Sequence, residues 1–386
     1  MPILPFGFFS FNIFSILSLL LLWYPLCCRS SVAHYGSIPS NLTHLFVLFR
    51  HGDRAPLGSY PNDPNKNYSW PMGLGALTTK GRRNMHALGK YLRRRYGSFL
   101  GSDPRVVAAR SGPDERCYDS LALVLYGLFP TTGPWKDWMP DQDWQPVPIV
   151  RLPQGHDRFT EICKPLFLRS IQNLGELQAR GSFAKSTFFF KFLSKHTGVD
   201  IRDTIGLLTA IDTLVVHHEN GLSVPQWALD NWDTILWAND VIIGHIAESQ
   251  MRNTAGAMLW SIADDLEKLR KKIEGVPQIL RSTPSKVGKK VTIFSYNDIN
   301  LYNVLKGLNR SYEVRPQYGA TVLFEVYSKN RVPFINILHK VDRDAQIYSV
   351  EGGSNPSTAE AFIRFVRNQF KPVSYEECKW TKLQLL

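Results

Sequence analysis

Leu45-Phe46-Val47-Leu48-Phe49-Arg50-His51-Gly52-Asp53-Arg54-Ala55-Pro56 runs from an apolar stretch straight into two arginines flanking one histidine. The apolar part predicts a buried strand, and Pro56 stops it from continuing. Arg50 and Arg54 stay charged at any physiological pH, and each presents a planar fork of N–H donors that matches phosphate oxygens. His51 lies between them with an ordinary pKa of about 6.5, so it can stand neutral and nucleophilic. Gly52 lets the backbone approach a ligand closely. A strand end of this kind suits holding a phosphate against a nucleophile.

Outward from that stretch, apolar runs at 45–49, 105–109, 146–150, 291–296, 320–327 and 332–339 read as strands. Ser328-Lys329-Asn330 reads as the turn of a hairpin joining the last two. Helical spacing lies between them: Thr79 is placed to cap a helix with Met85, Leu88, Leu92 and Tyr96 on one face, and 114–126 is apolar at Leu121, Val124 and Leu125. The first four strands each precede helical or loop segments. This alternation predicts an α/β fold, with a central mostly parallel sheet and helices on both faces.

From Glu161 to Val276 strand-like runs vanish, and amphipathic segments 188–196, 205–214, 227–237 and 254–273 follow one another. They predict an all-helical cap insertion over 161–284, ending in a loop at Thr283-Pro284-Ser285 and Gly288. The sheet domain is then split into 34–160 and 285–386. Ligands of open α/β sheets bind at the carboxyl ends of the strands, where Arg50, His51, Arg110 and Asp298 would converge.

The longer pattern Arg50-His51-Gly52-Asp53-Arg54-Ala55-Pro56 resembles the R-H-G-x-R-x-P signature of the histidine acid phosphatases, branch 2 of the histidine phosphatase superfamily. Trp70 to Thr78 with Gly81 and 88–96 resembles that family's second block, and Val106 to Ser111 with Arg116-Cys117 its third. Val291 to Asp298 falls where the family has a strand followed by His-Asp. Similarity covers roughly Leu45 to Cys378. The resemblance implies a metal-free and cofactor-free hydrolysis of phosphate monoesters. In it His51 attacks phosphorus, Asp298 protonates the leaving alkoxide, and Arg50, Arg54 and Arg110 hold the phosphate. Read from the residues alone, Asp298 also suits capping a helix that begins at Ile299, and a surface arginine is the alternative for Arg110.

The pattern departs from the family at one place, where His-Asp reads Asn297-Asp298. Asparagine offers amide donors to a phosphate oxygen but no charge. Loss of one charge-assisted contact costs on the order of 1 to 3 kcal/mol, roughly ten- to a hundredfold in rate. Reduced turnover is therefore the first expectation. A catalytically impaired phosphate-binding pseudoenzyme, or an inositol-polyphosphate or phospholipid phosphatase, are the competing readings.

The N-terminus, uncharged from Phe6 to Leu26, reads as a signal peptide over 1–33, which places the mature protein in the secreted or lysosomal lumen with no stable membrane span. A signal anchor is the alternative, because the segment is long enough to span a bilayer. An oxidising compartment allows one disulfide among Cys117, Cys163 and Cys378. The resemblance pairs Cys163 with Cys378 and leaves Cys117 a buried thiol. Asn41, Asn67 and Asn309 head glycosylation sequons.

A formal charge of +12 over 386 residues would suit nucleic acid or an anionic membrane, yet the basic residues are interspersed with acids and form no nucleic-acid-binding motif. An acidic substrate fits better. Arg93-Arg94-Arg95 and Arg270-Lys271-Lys272 read as solvated helix faces, the latter supported by i,i+4 pairs of Asp264 with Lys268 and Glu267 with Lys271. His217-His218-Glu219 lacks a third ligand at metal spacing, so no metal is expected. His86 and His156 have no partner legible in the sequence, and nothing in the sequence shows Asp53 or Asp157 touching substrate. Family members are often dimers, so a homodimer is an expectation of the resemblance alone.

Overall fold

The computed structural model describes residues 38–131, 138–139, 141–153, 157–160, 163–172, 184–200, 202–275, 288–341, 345–350, 354–371 and 373–378. The leader, His156 and the loop at 283–285 lie outside them. In chain order the elements are β1 (Leu42–Arg50), α1 (Thr79–Leu100), β2 (Val107–Ser111), α2 (Glu115–Leu128), β3 (Ile149–Arg151), α3 (Lys164–Gln172), α4 (Ala184–Thr197), α5 (Thr204–Glu219), α6 (Gln226–Leu229), α7 (Trp232–Ser249) and α8 (Ala255–Ile273). There follow β4 (Val291–Tyr296), α9 (Asp298–Leu308), β5 (Thr321–Lys329), β6 (Val332–Lys340), β7 (Ala345–Ile347), β8 (Ser357–Thr358), α10 (Ala359–Gln369) and α11 (Tyr375–Cys378).

The strands form one sheet in the order β3-β2-β4-β1-β5-β6-β7, with β8 pairing β6. β3, β2, β4 and β1 run parallel. They are the four strands that the sequence sets ahead of helices or loops. β5 then pairs with β1 antiparallel, and β6, β7 and β8 extend that half in the same sense. β1 is buried throughout residues 44–50 because it has a neighbour on each edge and helices over each face, which explains its unbroken apolar run.

Alternate side chains of β1 go to opposite faces. Phe46 and Leu48 pack with Phe294 and Phe324 against Met258, Ile262, Leu301 and Phe362, that is, against α8, α9 and α10. Each such fully buried side chain contributes about 1.5–3 kcal/mol. On the opposite face α1 and α2 cross closely. A Cβ on Gly89 would stand 2.1 Å from the Val124 carbonyl oxygen, and one on Gly127 would stand 2.4 Å from that of His86. Glycine at both points is what allows the crossing.

Several boundaries differ from the sequence expectation. Thr78, not Thr79, caps α1, its Oγ accepting from the Gly81 N–H at 3.0 Å. The hairpin turns on Asn330 and Arg331, both left-handed (φ 52° and 62°), a two-residue turn whose twist matches the flanking strands. The helical run expected over 227–237 is broken between α6 and α7, where the Asn231 side chain donates to the Trp227 carbonyl at 2.8 Å. α8, placed by the sequence in the insertion, belongs to the sheet core, because its buried residues Met258, Leu259 and Ile262 face the strands. A separate core, with Leu193, Ile211, Leu214, Ile235 and Ile242, joins α4, α5 and α7 to Tyr60.

Cys163 and Cys378 form a disulfide, with an S–S distance of 2.07 Å. Cys117 is buried and free. Lys271 pairs with Glu267 at 3.3 Å as expected, whereas Asp264 accepts from Arg367 of α10 and Lys268 meets Asp265 at 2.8 Å. Among the described residues no helix is long and apolar enough to cross a membrane.

Candidate active site

The end of β1 is held on both sides. The Arg50 N–H donates to Ala320 and the His51 N–H to Tyr296, each at 3.0 Å, and the Gly52 N–H donates to Ser120 Oγ at 3.0 Å. Gly52 and Gly81 let this segment press on the first turn of α1, where a Cβ on Gly81 would lie 2.0 Å from the Asp53 carbonyl oxygen. The imidazole of His51 therefore sits at a fixed point over the sheet edge, only 2% exposed.

Its tautomer follows from its partners. Nδ1 lies 2.8 Å from the Gly52 carbonyl oxygen, which only accepts, so Nδ1 carries the hydrogen. Nε2 accepts from the Nε–H of Arg116 at 3.2 Å, so its lone pair points at that guanidinium. Burial pushes the imidazole pKa well below its ordinary value, and Arg50, Arg116 and Arg54 push it the same way. His51 is thus held neutral in mildly acidic surroundings.

Arg50 donates to the Pro316 carbonyl at 2.6 Å, lies 3.9 Å over the Tyr318 ring, and reaches Asp298 Oδ2 at 3.1 Å. Asp298 is the first residue of α9, and its Oδ1 accepts from the Ile299 N–H at 2.9 Å. Helix start and candidate proton donor are therefore the same residue. Burial alone would raise the Asp298 pKa, but Arg315 and Arg50 outweigh it and hold the carboxyl well below the usual range. Arg315 Nε donates to Asp298 Oδ2 at 2.7 Å, and its other nitrogens reach Asn239 Oδ1 at 3.0 Å and Asp212 Oδ1 at 3.7 Å. Asp212, on α5, accepts from both terminal nitrogens of Arg54 at 2.9 and 3.0 Å. Arg54, Asp212, Arg315, Asp298 and Arg50 thus alternate in sign.

Arg110 lies elsewhere. Its guanidinium donates to Asp157 at 2.7 Å and covers the Phe159 ring at 4.1 Å, on the face of the sheet that holds Phe294. Strand alternation sends it there. The arginine at His51 is instead Arg116, in the first turn of α2, which the chain reaches after leaving β2. Arg116 also donates to Asn297 Oδ1 at 3.1 Å and pairs with Asp114 at 3.1 Å, while Asn297 Nδ2 donates to Asp114 at 2.9 Å. Asn297 therefore orients the guanidinium that faces His51. The Cys117 thiol lies 3.7 Å from Asn297 Oδ1, and burial pushes its pKa up, so it is a packing group.

Several other singled-out residues have structural partners among the described residues. Asp53 accepts from Thr78 Oγ1, and Asp157 holds Arg110 and the Tyr296 hydroxyl, the latter at 2.7 Å. His86 packs against Tyr126. His217 faces Asn65 and Asp63, whereas His218 packs on Trp232, so the adjacent histidines point apart. Asn41 and Asn67 are exposed, and Asn309 is half-buried with its side-chain oxygen accepting from the Ser311 N–H at 3.0 Å.

Sequence reasoning gave no role to Arg116, Arg315 or Asp212. Asp212 was legible as a lone acid in the apolar run Ala210-Ile211-Asp212-Thr213-Leu214. Arg315 had no such signal. A cleft of about 480 Å³ opens beside the cluster, lined by Arg50, Arg315 and Tyr318 together with Asp53, Lys80 and Glu219.

Residues 41–167 match the model of the histidine phosphatase superfamily, branch 2. Human testicular acid phosphatase is 30% identical over 301 residues, which span 74% of this chain and 67% of that protein. The chain belongs to this branch of the superfamily. Prostatic acid phosphatase of Bos taurus is 27% identical over 323 residues, 79% of each chain. A phytase of Hafnia alvei, in complex with tartrate, superposes with a TM-score of 0.60 over 88% of this chain and 99% of its own. At 16% identity that likeness shows the branch's fold alone.

Proposed function

We propose that this chain hydrolyses phosphate monoesters through a phosphohistidine. The observation that carries the reading is a buried imidazole whose Nε2 lone pair faces Arg116 while Arg50 stands beside it. A phosphate entering here would take the N–H groups of Arg50, Arg54 and Arg116, and their charge would meet the charge that develops on its oxygens. His51 Nε2 then forms a bond to phosphorus as the ester P–O bond breaks, and the proton on Asp298 passes to the departing alkoxide. Water attacks the phosphohistidine and releases inorganic phosphate.

Asp298 begins as a carboxylate because Arg315 and Arg50 hold it. A bound dianion competes for those guanidiniums and adds negative charge nearby, and both effects raise the carboxyl pKa until it can carry a proton. Asn297 contributes hydrogen bonds without charge, which supports turnover reduced roughly ten- to a hundredfold. The cleft mixes Asp53, Asp212, Glu219 and Asp240 with Arg50, Lys80 and Arg315. That balance favours a single phosphate over a polyphosphate. The exposed Asn41 and Asn67 and the disulfide support a secreted or lysosomal location. A homodimer remains an expectation of family resemblance.

The test is turnover of p-nitrophenyl phosphate across acidic pH, with acid-labile phosphohistidine trapped on His51. Release of nitrophenol with labelled His51 supports the reading. Phosphate binding with neither signal would instead establish the non-catalytic reading, which the uncharged Asn297 and the doubly held Asp298 favour.

A further inference from the structure

Arg315 stands at the centre of the site although it follows neither the β1 motif nor the β4 strand end. It lies in the connection between α9 and β5, and its side chain is 11% exposed. Nε and one terminal nitrogen both point at a single oxygen, Asp298 Oδ2, at 2.7 and 2.6 Å. The same oxygen receives Arg50 at 3.1 Å. Three nitrogens from two cations on one carboxylate oxygen is more donation than a proton donor tolerates, since every one favours the ionised form. Yet Arg315 also lines the cleft beside Arg50 and Tyr318, where an incoming ester would lie. Its other partners are weaker acceptors or more distant: Asn239 at 3.0 Å and Asp212 at 3.7 Å, the latter already bound by both terminal nitrogens of Arg54.

We propose that Arg315 is a positioning residue of this reaction: it restrains the Asp298 carboxylate while the site is empty and transfers its N–H groups to the phosphate of the bound ester, freeing Asp298 to take up a proton. The inference rests on the phosphatase reading above. Asn297 next to the proton donor is uncharged, and of the two cleft-lining cations on Asp298, Arg315 makes the shorter contacts, at 2.6 and 2.7 Å against 3.1 Å for Arg50. The transfer exchanges one oxyanion for another about a guanidinium that touches Asp298 on one side and lines the cleft on the other. Solvent supplies the proton to Asp298, which returns it to the leaving oxygen when the P–O bond breaks.

The groups facing Asp298 set the sign of the pH effect. Arg50 and His51 face it from the end of β1, Arg315 from the β5 connection, and the Cys117 thiol from α2. Arg315 in turn faces Asp212 of α5, Tyr318 and Arg54, while Asp240 of α7 accepts from its backbone N–H. Removing the Arg315 charge leaves Asp298 with one arginine instead of two, so its pKa in the free enzyme rises. Asp298 acts protonated, and kcat/KM reports the free enzyme, so the basic limb of that profile moves to higher pH.

The experiment compares wild type, Arg315→Met and Arg315→Lys with p-nitrophenyl phosphate over a range of acidic to neutral pH. Arg315→Met is expected to raise KM about tenfold and to shift the basic limb upward by about one pH unit. Arg315→Lys, which keeps the charge without the fork, should recover much of KM and sit between them. An unmoved limb and unchanged KM in Arg315→Met overturn the proposal while leaving the phosphatase reading intact. A wild type with neither turnover nor phosphohistidine overturns the phosphatase reading instead. In that event calorimetric titration with inorganic phosphate decides the Arg315 claim. About tenfold weaker binding by Arg315→Met supports phosphate capture by this side chain, and equal binding rejects it. Should Arg315→Met not fold, the Lys variant alone decides, since loss of the fork predicts an intermediate KM and a structural role predicts none.

Discussion

Arg116 Nε lies 3.2 Å from His51 Nε2, while the other imidazole nitrogen is committed to the Gly52 carbonyl at 2.8 Å. In the proposed reaction the attacking nitrogen is therefore the one already facing a cation, which would place nucleophile and phosphate-binding group together before substrate arrives. Arg116→Ala should lower kcat/KM roughly ten- to a hundredfold, the scale of one lost charge-assisted contact in the transition state. Arg110→Ala should leave kcat close to wild type and lower Tm, because it strands Asp157, which is fully buried. Steady-state kinetics on the two variants checks this, and the reverse ranking would return the role to Arg110.

Asn297→His should raise turnover on the order of tenfold at acidic pH, where the imidazole adds the charge that the amide lacks. The gain should fade toward neutrality as that ring loses its proton. Asn297→Ala should lower turnover, since Arg116 loses its 3.1 Å acceptor. No gain at any pH in the His variant would remove position 297 as the limit on rate.

Acid should weaken the fold through buried histidines. Burial outweighs the pull of Asp265 and lowers the His44 pKa from 6.5 to about 4. The unfolded chain thus takes this proton first, and stability present above about 6.5 is lost as pH falls toward about 4, by about 3 kcal/mol. His51, also lowered, and Asp298, lowered below the carboxylate range, act in the same direction. Urea unfolding of wild type and His44→Phe over this window measures the effect. Equal slopes against pH in the two proteins would contradict it.

Asp212→Asn should destabilise by on the order of 3 kcal/mol, because it leaves the Arg54 guanidinium, 4% exposed, without its buried counter-charge. Thermal unfolding with and without inorganic phosphate tests it. Phosphate should restore more Tm to the variant than to wild type, as the added anion replaces the lost one.

Cys163→Ser should cost up to about 5 kcal/mol in the chain-entropy account, since the bridge closes 215 residues. Denaturant midpoints of variant and wild type, under non-reducing conditions, provide the measurement. An unchanged midpoint would mean that the bridge is dispensable.

Local pattern was enough wherever a side chain's role depends on its own neighbours in the chain. The apolar run of β1 followed by Arg50 and His51, the buried face of α1 with Met85, Leu88 and Leu92, and Asp298 immediately after β4 could each be read directly. Cys163 with Cys378 came from family resemblance, because three cysteines leave the pairing open. Arg110 was misplaced for a geometric reason. It ends a strand as His51 does, but alternation turns it toward Phe159, and six residues later the first turn of α2 brings Arg116 back over His51.

What the sequence by itself determined was the α/β class, the order of its strands and helices, and the place of the candidate nucleophile at the end of β1, because hydrophobic period and a contiguous motif are properties of neighbouring residues. What only the tertiary structure decided was which charges face one another. Arg54 with Asp212, Arg315 with Asp298 and Arg116 with His51 are separated by 158, 17 and 65 positions and share no pattern. Their contacts exist because sheet register and helix packing bring distant segments to one edge, and in that buried space each cation settles on the nearest acceptor.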